Sequence, residues 1–330
     1  MSNTSTAIGV DLGATKIAIV LAKLSGKILF ERKIPTNPQR GEAVVLDDIA
    51  QLVNEMAEIA SQLGEQVTGL GIGSPGRCDA IKGIVYNAVN LNWKEVQLAQ
   101  EVRSRIKVSF PVWIEKDGNA SALGEYYFGA ARGIDNFAYI SIGSGLGGGI
   151  IVNGRLVSGA NSYAAEIGHL SIDPSSAQLC SCGHYGCAET FVSGVGLVVV
   201  GNRTLKAGGL STRLSTSTMT PTNILAAAHE DDPLAKAVLA EAGQALGTLA
   251  AVIVSLLNPS RLVIGGGLGL AAFNDWVPMI REELARRVQA ASCSELDILP
   301  TQLDSSGLGP VGLVRYNMEN EFGSSKEGGG

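Results

Sequence analysis

Four potential metal ligands lie in one short segment of the sequence: His169, Cys180, Cys182 and Cys187. An imidazole and three thiolates are a donor set of closed tetrahedral zinc sites. Because four protein ligands leave no position for water, the predicted Zn²⁺ is structural. His184 lies inside the same loop and is a competing fourth ligand, although ring closure from that position is cramped. The alternative is a set of reduced cytosolic thiols without a metal.

Three glycine-rich segments each follow an apolar run: Asp11–Lys16, Gly143–Gly149 and Gly265–Gly269. Glycine lets the backbone approach an anion closely, and successive backbone N–H groups can form an anion-binding nest. The Asp that opens the first segment could hold Mg²⁺ through water, although this segment lacks the P-loop spacing. Each segment alone could be an ordinary turn, whereas three at strand ends favour phosphate binding.

Three isolated acids, Asp117, Glu166 and Glu189, lie in apolar or glycine-rich surroundings. Carboxylates bind polyhydroxyl ligands through paired hydrogen bonds, and the predicted zinc loop would hold the last two rigidly. Asp117 is predicted at a strand-to-helix junction, where α/β proteins place catalytic groups. Taken singly, each acid could equally be a helix cap or a surface charge.

The elements that must position these residues alternate between strands and helices, which indicates an α/β fold. Glycine-turn hairpins are predicted at Ala7–Val20 and Ala138–Val152, with Asp11 and Gly143 in matching places, so the architecture is predicted to be duplicated. Further predicted helices are Val44–Leu63, Asn119–Phe128 and the segment from Pro233 to just before Asn258. Further predicted strands are Val67–Ile72, Val112–Ile114 and Arg261–Ile264.

Composition narrows the class of protein. The chain has 330 residues, of which 45% are hydrophobic and 17% charged, so two folded domains are expected and disorder is excluded. The net charge of −6 and the absence of a basic stripe argue against a nucleic-acid partner. The most apolar segment, Leu246–Leu257, is shorter than a membrane span, and the N-terminus lacks signal-peptide features. We therefore predict a cytoplasmic protein with a flexible tail at 321–330.

Together these motifs resemble the ROK family of sugar kinases and sugar-responsive repressors. The most specific matches are Glu166-x-x-His169 and the segment from Cys180 to Glu189, and the resemblance extends from Ile8 to Tyr316. It implies a two-lobed actin/hexokinase-like (ribonuclease H-like) α/β fold with duplicated domains and a central cleft.

The resemblance also implies a division of the chain. The N-terminal lobe would comprise residues 1–117 and be completed by a C-terminal helix near 306–320. The second lobe would comprise residues 118–305 and carry the zinc loop 169–187. Family members often form dimers or tetramers, so a homo-oligomer is expected.

The activity implied by the resemblance is transfer of the ATP γ-phosphoryl group to the 6-hydroxyl of a hexose, with glucose expected. Asp117 would be the general base for that hydroxyl. Zn²⁺, Mg²⁺ and ATP as co-substrate are implied. The implied sugar contacts are Ser74, Gly76, Asn90, Lys116, Asp117, Glu166, His169 and Glu189. The implied ATP and phosphate contacts are Asp11, Gly13, Ala14, Thr15, Lys16, Gly143, Ser144, Gly145, Gly265, Gly266 and Gly267.

Several positions depart from the family pattern. Lys116 replaces the Asn usual before the catalytic Asp, which changes both charge and hydrogen-bonding capacity beside Asp117. Ala14 and Ala165 replace common glycines, and Ser144 replaces a frequent Thr. The alternatives are therefore an N-acetylhexosamine kinase, a fructokinase, or a non-catalytic sugar-binding protein. A sugar-responsive regulator is a further alternative, which would require an N-terminal DNA-binding domain.

Overall fold

A computed structural model describes residues 5–327 of the chain. Its strands are β1 (Thr6–Leu12), β2 (Lys16–Lys23), β3 (Ile28–Pro35), β4 (Val67–Ser74), β5 (Arg77–Asp79), β6 (Ile84–Ala88), β7 (Trp93–Val96), β8 (Val112–Lys116), β9 (Phe137–Ile142), β10 (Leu146–Val152), β11 (Arg155–Leu156), β12 (Arg261–Gly265) and β13 (Asp297–Pro300). Its helices are α1 (Glu42–Gln62), α2 (Leu98–Arg105), α3 (Asp117–Phe128), α4 (Glu189–Val192), α5 (Gly194–Ala207), α6 (Pro221–His229), α7 (Pro233–Leu257), α8 (Gly267–Ala271), α9 (Phe273–Arg287), α10 (Ala290–Cys293) and α11 (Leu308–Glu327). Short 3₁₀ turns are found at Pro38–Arg40, Val89–Leu91 and Ile167–His169.

The chain divides into two compact units. Unit 1 contains residues up to 135 together with 155–164 and the C-terminal part from 302, and unit 2 contains residues 136–154 and 165–301. The first boundary therefore lies at 135, whereas the sequence placed it at 117. The reason is α3, which packs tightly on α11: a Cβ added to Gly124 would lie 2.8 Å from Gly309 Cα.

Unit 1 is built on a five-stranded sheet with the order β3-β2-β1-β4-β8. The first three strands are antiparallel, whereas β4 and β8 run parallel to β1. One face buries Ile8 and Val10 against α1, and the other buries Ala7 and Val20 against α11. Both faces of the sheet are covered, which explains the near-continuous apolar runs in its strands.

A second, three-stranded antiparallel sheet in unit 1, with the order β5-β6-β7, was not predicted. Its strands are short and lack a clear alternation of apolar and polar residues. Such strands give little signal in the sequence.

Unit 2 is built on the strands β10, β9, β12 and β13, which pair in that order. The predicted long helix is confirmed as α7. Asp232 caps it by accepting a hydrogen bond from the N–H of Ala235 (3.0 Å), Pro233 opens it, and Asn258 in the left-handed conformation ends it. The fully buried Trp276 of α9 donates to the carbonyl of Leu239 (3.2 Å) and so fastens α9 to α7.

The two predicted hairpins are confirmed as β1–β2 and β9–β10. Their correspondence differs from the predicted one, however. Leu12 pairs with Ile17 and Ile142 pairs with Leu146, so each is the last paired residue before its turn. Gly13 therefore corresponds to Gly143, and the pairing of Asp11 with Gly143 was wrong by two positions.

Two helices, α7 and α11, extend beyond segments identified from the sequence. Helix α7 extends well beyond the apolar segment 246–257 and is long and apolar enough to cross a membrane. However, 61% of its most apolar stretch is buried in the protein interior. A buried apolar helix is also what a domain core requires, so α7 gives no clear sign of a membrane protein. Helix α11 continues to Glu327, where the sequence predicted a tail from 321, and residues 328–330 lie outside the described residues.

Candidate active site

The carboxyl ends of three neighbouring strands in unit 1 bring several predicted site residues together. Across β1, β4 and β8, Asp11 is registered with Gly73, and Gly73 with Glu115. Ser74 is in turn registered with Lys116, immediately before Asp117. In α/β folds this edge of a parallel sheet is where ligands bind.

Asp117 is the first residue of α3 and is exposed. Its Oδ1 accepts a hydrogen bond from the N–H of Gly118 (2.7 Å). The N-terminal end of a helix favours negative charge. A Cβ added to Gly73 would lie 3.6 Å from Asp117 Cα, so the end of β4 lies beside the start of α3.

Lys116 is buried, with only 6% of its surface exposed. Its Nζ donates to the carbonyl of Ala164 (3.0 Å), which ties the end of β8 to the segment 155–164 of the same unit. Glu115, which sequence reasoning missed, accepts from the N–H of Lys116 (2.8 Å) and from Nδ2 of Asn119 (3.0 Å). Burial raises the pKa of Glu115 above its ordinary value, against the effect of these bonds.

Gly76 and Asn90 lie near this edge. Gly76 has a φ of 86°, and an added Cβ would lie 2.7 Å from the carbonyl oxygen of Tyr86. Only glycine fits this turn, which packs on β6. Asn90 is exposed in the 3₁₀ turn that follows β6.

The turn of the first hairpin presents Thr15 and Lys16 to solvent, with Ala14 partly exposed beside them. The N–H of Gly13 donates to the carbonyl of Lys16 (3.0 Å), which closes the turn. Burial raises the pKa of Asp11, and the Ser306 hydroxyl and the Lys16 charge oppose that rise. The donor set fits a hard cation, since Mg²⁺ prefers carboxylate oxygen and would favour the ionised acid.

Unit 2 contains a cavity of about 680 Å³ with mostly apolar walls. Two of the predicted phosphate segments meet there, because Gly143, Ser144 and Gly267 all line it. They meet because Gly265 is registered with Ser141, so β9 and β12 end at the same edge of the sheet. The cavity volume lies within the range of small-molecule sites.

The other two glycines of the third segment do not line this cavity. Gly266 has a φ of 80°, and an added Cβ would lie 2.3 Å from the carbonyl oxygen of Ile142. A Cβ added to Gly265 would lie 2.3 Å from the Tyr139 hydroxyl. These two glycines bring the segment close to β9 so that Gly267 can begin α8 at the cavity wall.

The turn of the second hairpin is fastened to the start of α5. The N–H of Gly194 donates to the carbonyl of Gly143 (2.8 Å), and the N–H of Val195 donates to that of Ser144 (3.3 Å). Ser193 caps the helix by accepting from the N–H of Gly196 (3.0 Å). The first N–H groups of α5 are therefore bonded within the protein, and they hold the turn in place beside the cavity.

The remaining walls of the cavity were missed at the sequence level. They come from α5, the start of α6 and α8, and their residues are Val195, Val198, Val199, Pro221, Thr222, Leu225, Leu268 and Ala271. The sequence offered only the spacing of Val195 and Val199, one helical turn apart, which a core helix shares. Their 64% and 44% exposure, which sets them apart from core residues, is visible only in the structure.

The predicted zinc ligands come together in unit 2. One ligand atom from each of His169, Cys180, Cys182 and Cys187 lies within 4.8 Å of all the others. His169 Nδ1 is 3.5 Å from Cys180 Sγ, and Cys182 Sγ is 3.6 Å from Cys187 Sγ. Tetrahedral bonds of ~2.0–2.3 Å give edges of about 3.5–3.8 Å, so the cluster fits Zn²⁺. Burial raises the pKa of the Cys187 thiol to about 12, and a bound cation would oppose this.

His184 lies 3.6 Å from Cys182 Sγ through its Nδ1 but does not belong to the four-ligand cluster. The Nδ1 of His169 faces the thiols, so only its Nε2 is left to contact a ligand. Glu166 directly precedes the 3₁₀ turn Ile167–His169, in which the N–H of His169 donates to the carbonyl of Glu166 (3.0 Å). Glu189 begins α4, and its Oε2 accepts from the N–H of Leu146 (2.9 Å).

Comparison with known proteins matches this arrangement to one family. The ROK family model matches residues 7–314. A glucokinase of Halalkalibacterium halodurans is 33% identical over 80% of this chain and 81% of its own length, and a xylose repressor of Caldicellulosiruptor bescii is 33% identical over 94% of this chain and 78% of its own. A solved ROK glucokinase of Streptomyces griseus, in complex with glucose and AMPPNP, is 33% identical and superposes with a TM-score of 0.76 over 93% of this chain and 97% of its own.

These relatives confirm the predicted actin/hexokinase-like α/β fold, since ROK hexokinases are among the structural neighbours. The family contains both sugar kinases and repressors. The site geometry, the family match over most of the residues and the structural superposition agree, and the chain therefore belongs to the ROK family.

Proposed function

We propose that this chain is an ATP- and Mg²⁺-dependent hexokinase of glucokinase type, which makes a sugar 6-phosphate. One observation carries the proposal: the cavity of about 680 Å³ in unit 2 is formed where two glycine-rich turns and the start of α5 meet. Apolar walls suit an adenosine moiety, and the glycine turns with their N–H groups suit its phosphates. Relatives that are glucokinases support the same assignment.

Asp117 is proposed as the base that takes the proton of the sugar 6-hydroxyl. It is exposed at the beginning of α3, and its Oδ1 is oriented by the N–H of Gly118 (2.7 Å). Such a carboxylate need only orient the hydroxyl and accept its proton as the phosphoryl group arrives. The catalytic gain then comes mainly from positioning and from the electrostatic field around the phosphates.

Glu166, His169, Glu189 and the edge residues Ser74, Gly76 and Asn90 are proposed as sugar contacts. Lys116 is proposed to act on the sugar indirectly, because its Nζ donates to the carbonyl of Ala164. We propose that it positions the end of β8 beside Asp117. The choice among glucose, an N-acetylhexosamine and fructose then depends on the remaining contacts.

Mg²⁺ and Zn²⁺ have separate proposed roles. Asp11 would hold Mg²⁺, which when bound supplies positive charge to the phosphates of ATP. The cluster of His169 with three thiols would hold Zn²⁺ and fix the loop between Glu166 and Glu189. A homo-oligomer and a cytoplasmic location also belong to the proposal, and light scattering coupled to size exclusion would test the oligomer.

The test is an ADP-release assay with ATP and Mg²⁺ on zinc-loaded protein. The acceptor panel is glucose, mannose, fructose, N-acetylglucosamine and N-acetylmannosamine. We expect one strongly preferred sugar, with turnover that depends on it. Equal ADP release with and without every sugar, in folded protein that contains zinc, would refute the kinase assignment.

A sugar-responsive regulator is the second candidate, because the xylose repressor of Caldicellulosiruptor bescii matches 94% of this chain. A regulator of this kind would bind a sugar without consuming ATP. Calorimetric titration of each sugar in the panel separates the candidates, since sugar binding without sugar-dependent ADP release favours the regulator.

A further inference from the structure

The N–H and the carbonyl of Leu146 both contact predicted sugar-binding segments. Leu146 directly follows the Gly143–Gly145 turn and is 6% exposed. Its N–H donates to Glu189 Oε2 (2.9 Å). On its other side, a Cβ added to Gly168, in the turn between Glu166 and His169, would lie 2.1 Å from the Leu146 carbonyl oxygen. Both sugar-side segments of unit 2 therefore pack directly on the end of the phosphate turn.

The carboxylate of Glu189 also lies against the turn itself. A Cβ added to Gly145 would lie 2.8 Å from Glu189 Oε2, so the absence of a side chain at Gly145 makes room for the acid. Gly145 accepts from the N–H of Gly143 (3.0 Å) and thereby closes the turn. Gly147 lies two residues further along the same hairpin, and no atom of the described residues lies within 4 Å of a Cβ added there. The close approach is thus specific to Gly145.

A second route connects Glu189 to the same turn through the backbone. The carbonyl of Glu189 accepts from Ser193 Oγ (2.8 Å), and Ser193 caps α5. The first N–H groups of α5 donate to the carbonyls of Gly143 and Ser144. Glu189 therefore contacts one end of the turn by its side chain and the other end through the capped helix.

We propose that Glu189 is a positioning residue for the nucleotide turn in addition to contacting the sugar, so that sugar and nucleotide binding are coupled inside unit 2. The inference rests on the proposed function. A sugar hydroxyl bound to the Glu189 carboxylate would restrict the rotamers of Glu189. Because this carboxylate accepts from the Leu146 N–H, the motion of the adjoining turn would be restricted as well. A turn already ordered by one ligand costs the second ligand less entropy, and the coupling is reciprocal.

The first experiment perturbs the nucleotide side and reads sugar affinity. Gly145→Ala places a Cβ against Glu189, whereas Gly147→Ala is the matched control in open space. With nucleotide absent, we expect Gly145→Ala to weaken binding of the preferred sugar at least about fivefold, and Gly147→Ala to leave it within about twofold. Equal sugar affinity in both variants would overturn the proposal, because a turn that served the nucleotide alone would not affect the sugar.

The reciprocal experiment perturbs Glu189 and reads nucleotide affinity with sugar absent, using a fluorescent ADP analogue. Glu189→Ala removes the acceptor for Leu146 and should weaken ADP binding at least about fivefold. Glu189→Gln keeps an oxygen acceptor and should restore ADP affinity to near wild type while sugar affinity stays reduced. Unchanged ADP affinity in Glu189→Ala would show that this residue serves the sugar alone.

The two failures are distinguishable. Wild-type protein without sugar-dependent ADP release would refute the proposed function. Active wild-type protein in which Gly145→Ala and Gly147→Ala bind sugar equally would refute only the coupling. If Gly145→Ala does not fold, the ADP affinities of Glu189→Ala and Glu189→Gln decide the question by themselves.

Discussion

The two hairpin turns of this protein occupy equivalent places in their units but are fastened in different ways. The turn at Gly13 is held by Thr36, whose Oγ1 donates to the Gly13 carbonyl (2.6 Å) and whose N–H donates to the Thr15 carbonyl (3.1 Å). The turn at Gly143 is held by the start of α5 and by the carboxylate of Glu189. The first is fastened by the residue that follows β3, and the second is fastened by the starts of α4 and α5.

This difference separates the tasks of the units. The first turn presents Thr15 and Lys16, and its sheet edge carries Asp11 and Asp117, so unit 1 supplies charge and the proposed base. The second turn contributes backbone groups next to an apolar cavity, so unit 2 supplies the proposed nucleotide surface. Changes at Asp117 in unit 1 should therefore affect turnover, and changes at the turns around the cavity in unit 2 should affect nucleotide binding and stability.

The largest effect is expected for Asp117→Asn in unit 1. Loss of the proposed base should lower kcat by roughly 10²–10⁴-fold while the preferred sugar still binds. Steady-state kinetics and calorimetric titration measure the two quantities, with Asp231→Asn on the exposed surface as control. A loss of sugar affinity with kcat unchanged would contradict the division of tasks.

Cys182→Ser should destabilise unit 2 through loss of the proposed zinc ion. With one ligand lost, we expect bound zinc to fall well below one ion per chain and the Tm to fall by on the order of 10 °C. Elemental analysis and calorimetry give both values, and Cys293→Ser, outside the four-ligand cluster, is the matched control. Zinc-free protein with wild-type Tm would show that the cluster does not stabilise the unit.

The pair Gly266→Ala and Gly267→Ala tests the cavity wall. Gly266 has a positive φ and no room for a Cβ, so we expect a loss of roughly 2–4 kcal/mol of unfolding free energy and a higher KM for ATP. In the part of the chain that the structure describes, no atom lies within 4 Å of a Cβ added to Gly267, so its variant should keep the wild-type stability. Denaturant unfolding distinguishes them, and equal stabilities would mean that the wall tolerates movement at Gly266.

The smallest effect is expected at the first turn. Thr36→Val removes the hydroxyl bonded to the Gly13 carbonyl and should cost about 1–2 kcal/mol of unfolding free energy. Thr36→Ser keeps the donor and serves as control. If Thr36→Val raised the KM for ATP as much as Gly266→Ala, the two turns would share one task, contrary to the comparison.

Much of the fold followed from local pattern. Both hairpins, the long helix capped by Asp232, and the strands before Gly73 and Gly265 were predicted close to their observed bounds, because apolar periodicity and turn residues act locally. The short sheet β5-β6-β7 and the assignment of α3 to unit 1 were not predicted. They depend on packing between segments distant in sequence, such as Gly124 against Gly309.

The sequence by itself determined the kinds of group available: a set of potential zinc ligands, three glycine-rich turns and isolated carboxylates. Residue types and spacing are sufficient there, because ligand chemistry and glycine conformations are local properties. Only the tertiary structure decided which groups meet. Val195 and Val199 share a cavity with Gly143 and Gly267, and Leu146 bonds to Glu189, so segments far apart in the chain come together. No local pattern encodes that proximity, because it results from strand register and helix packing.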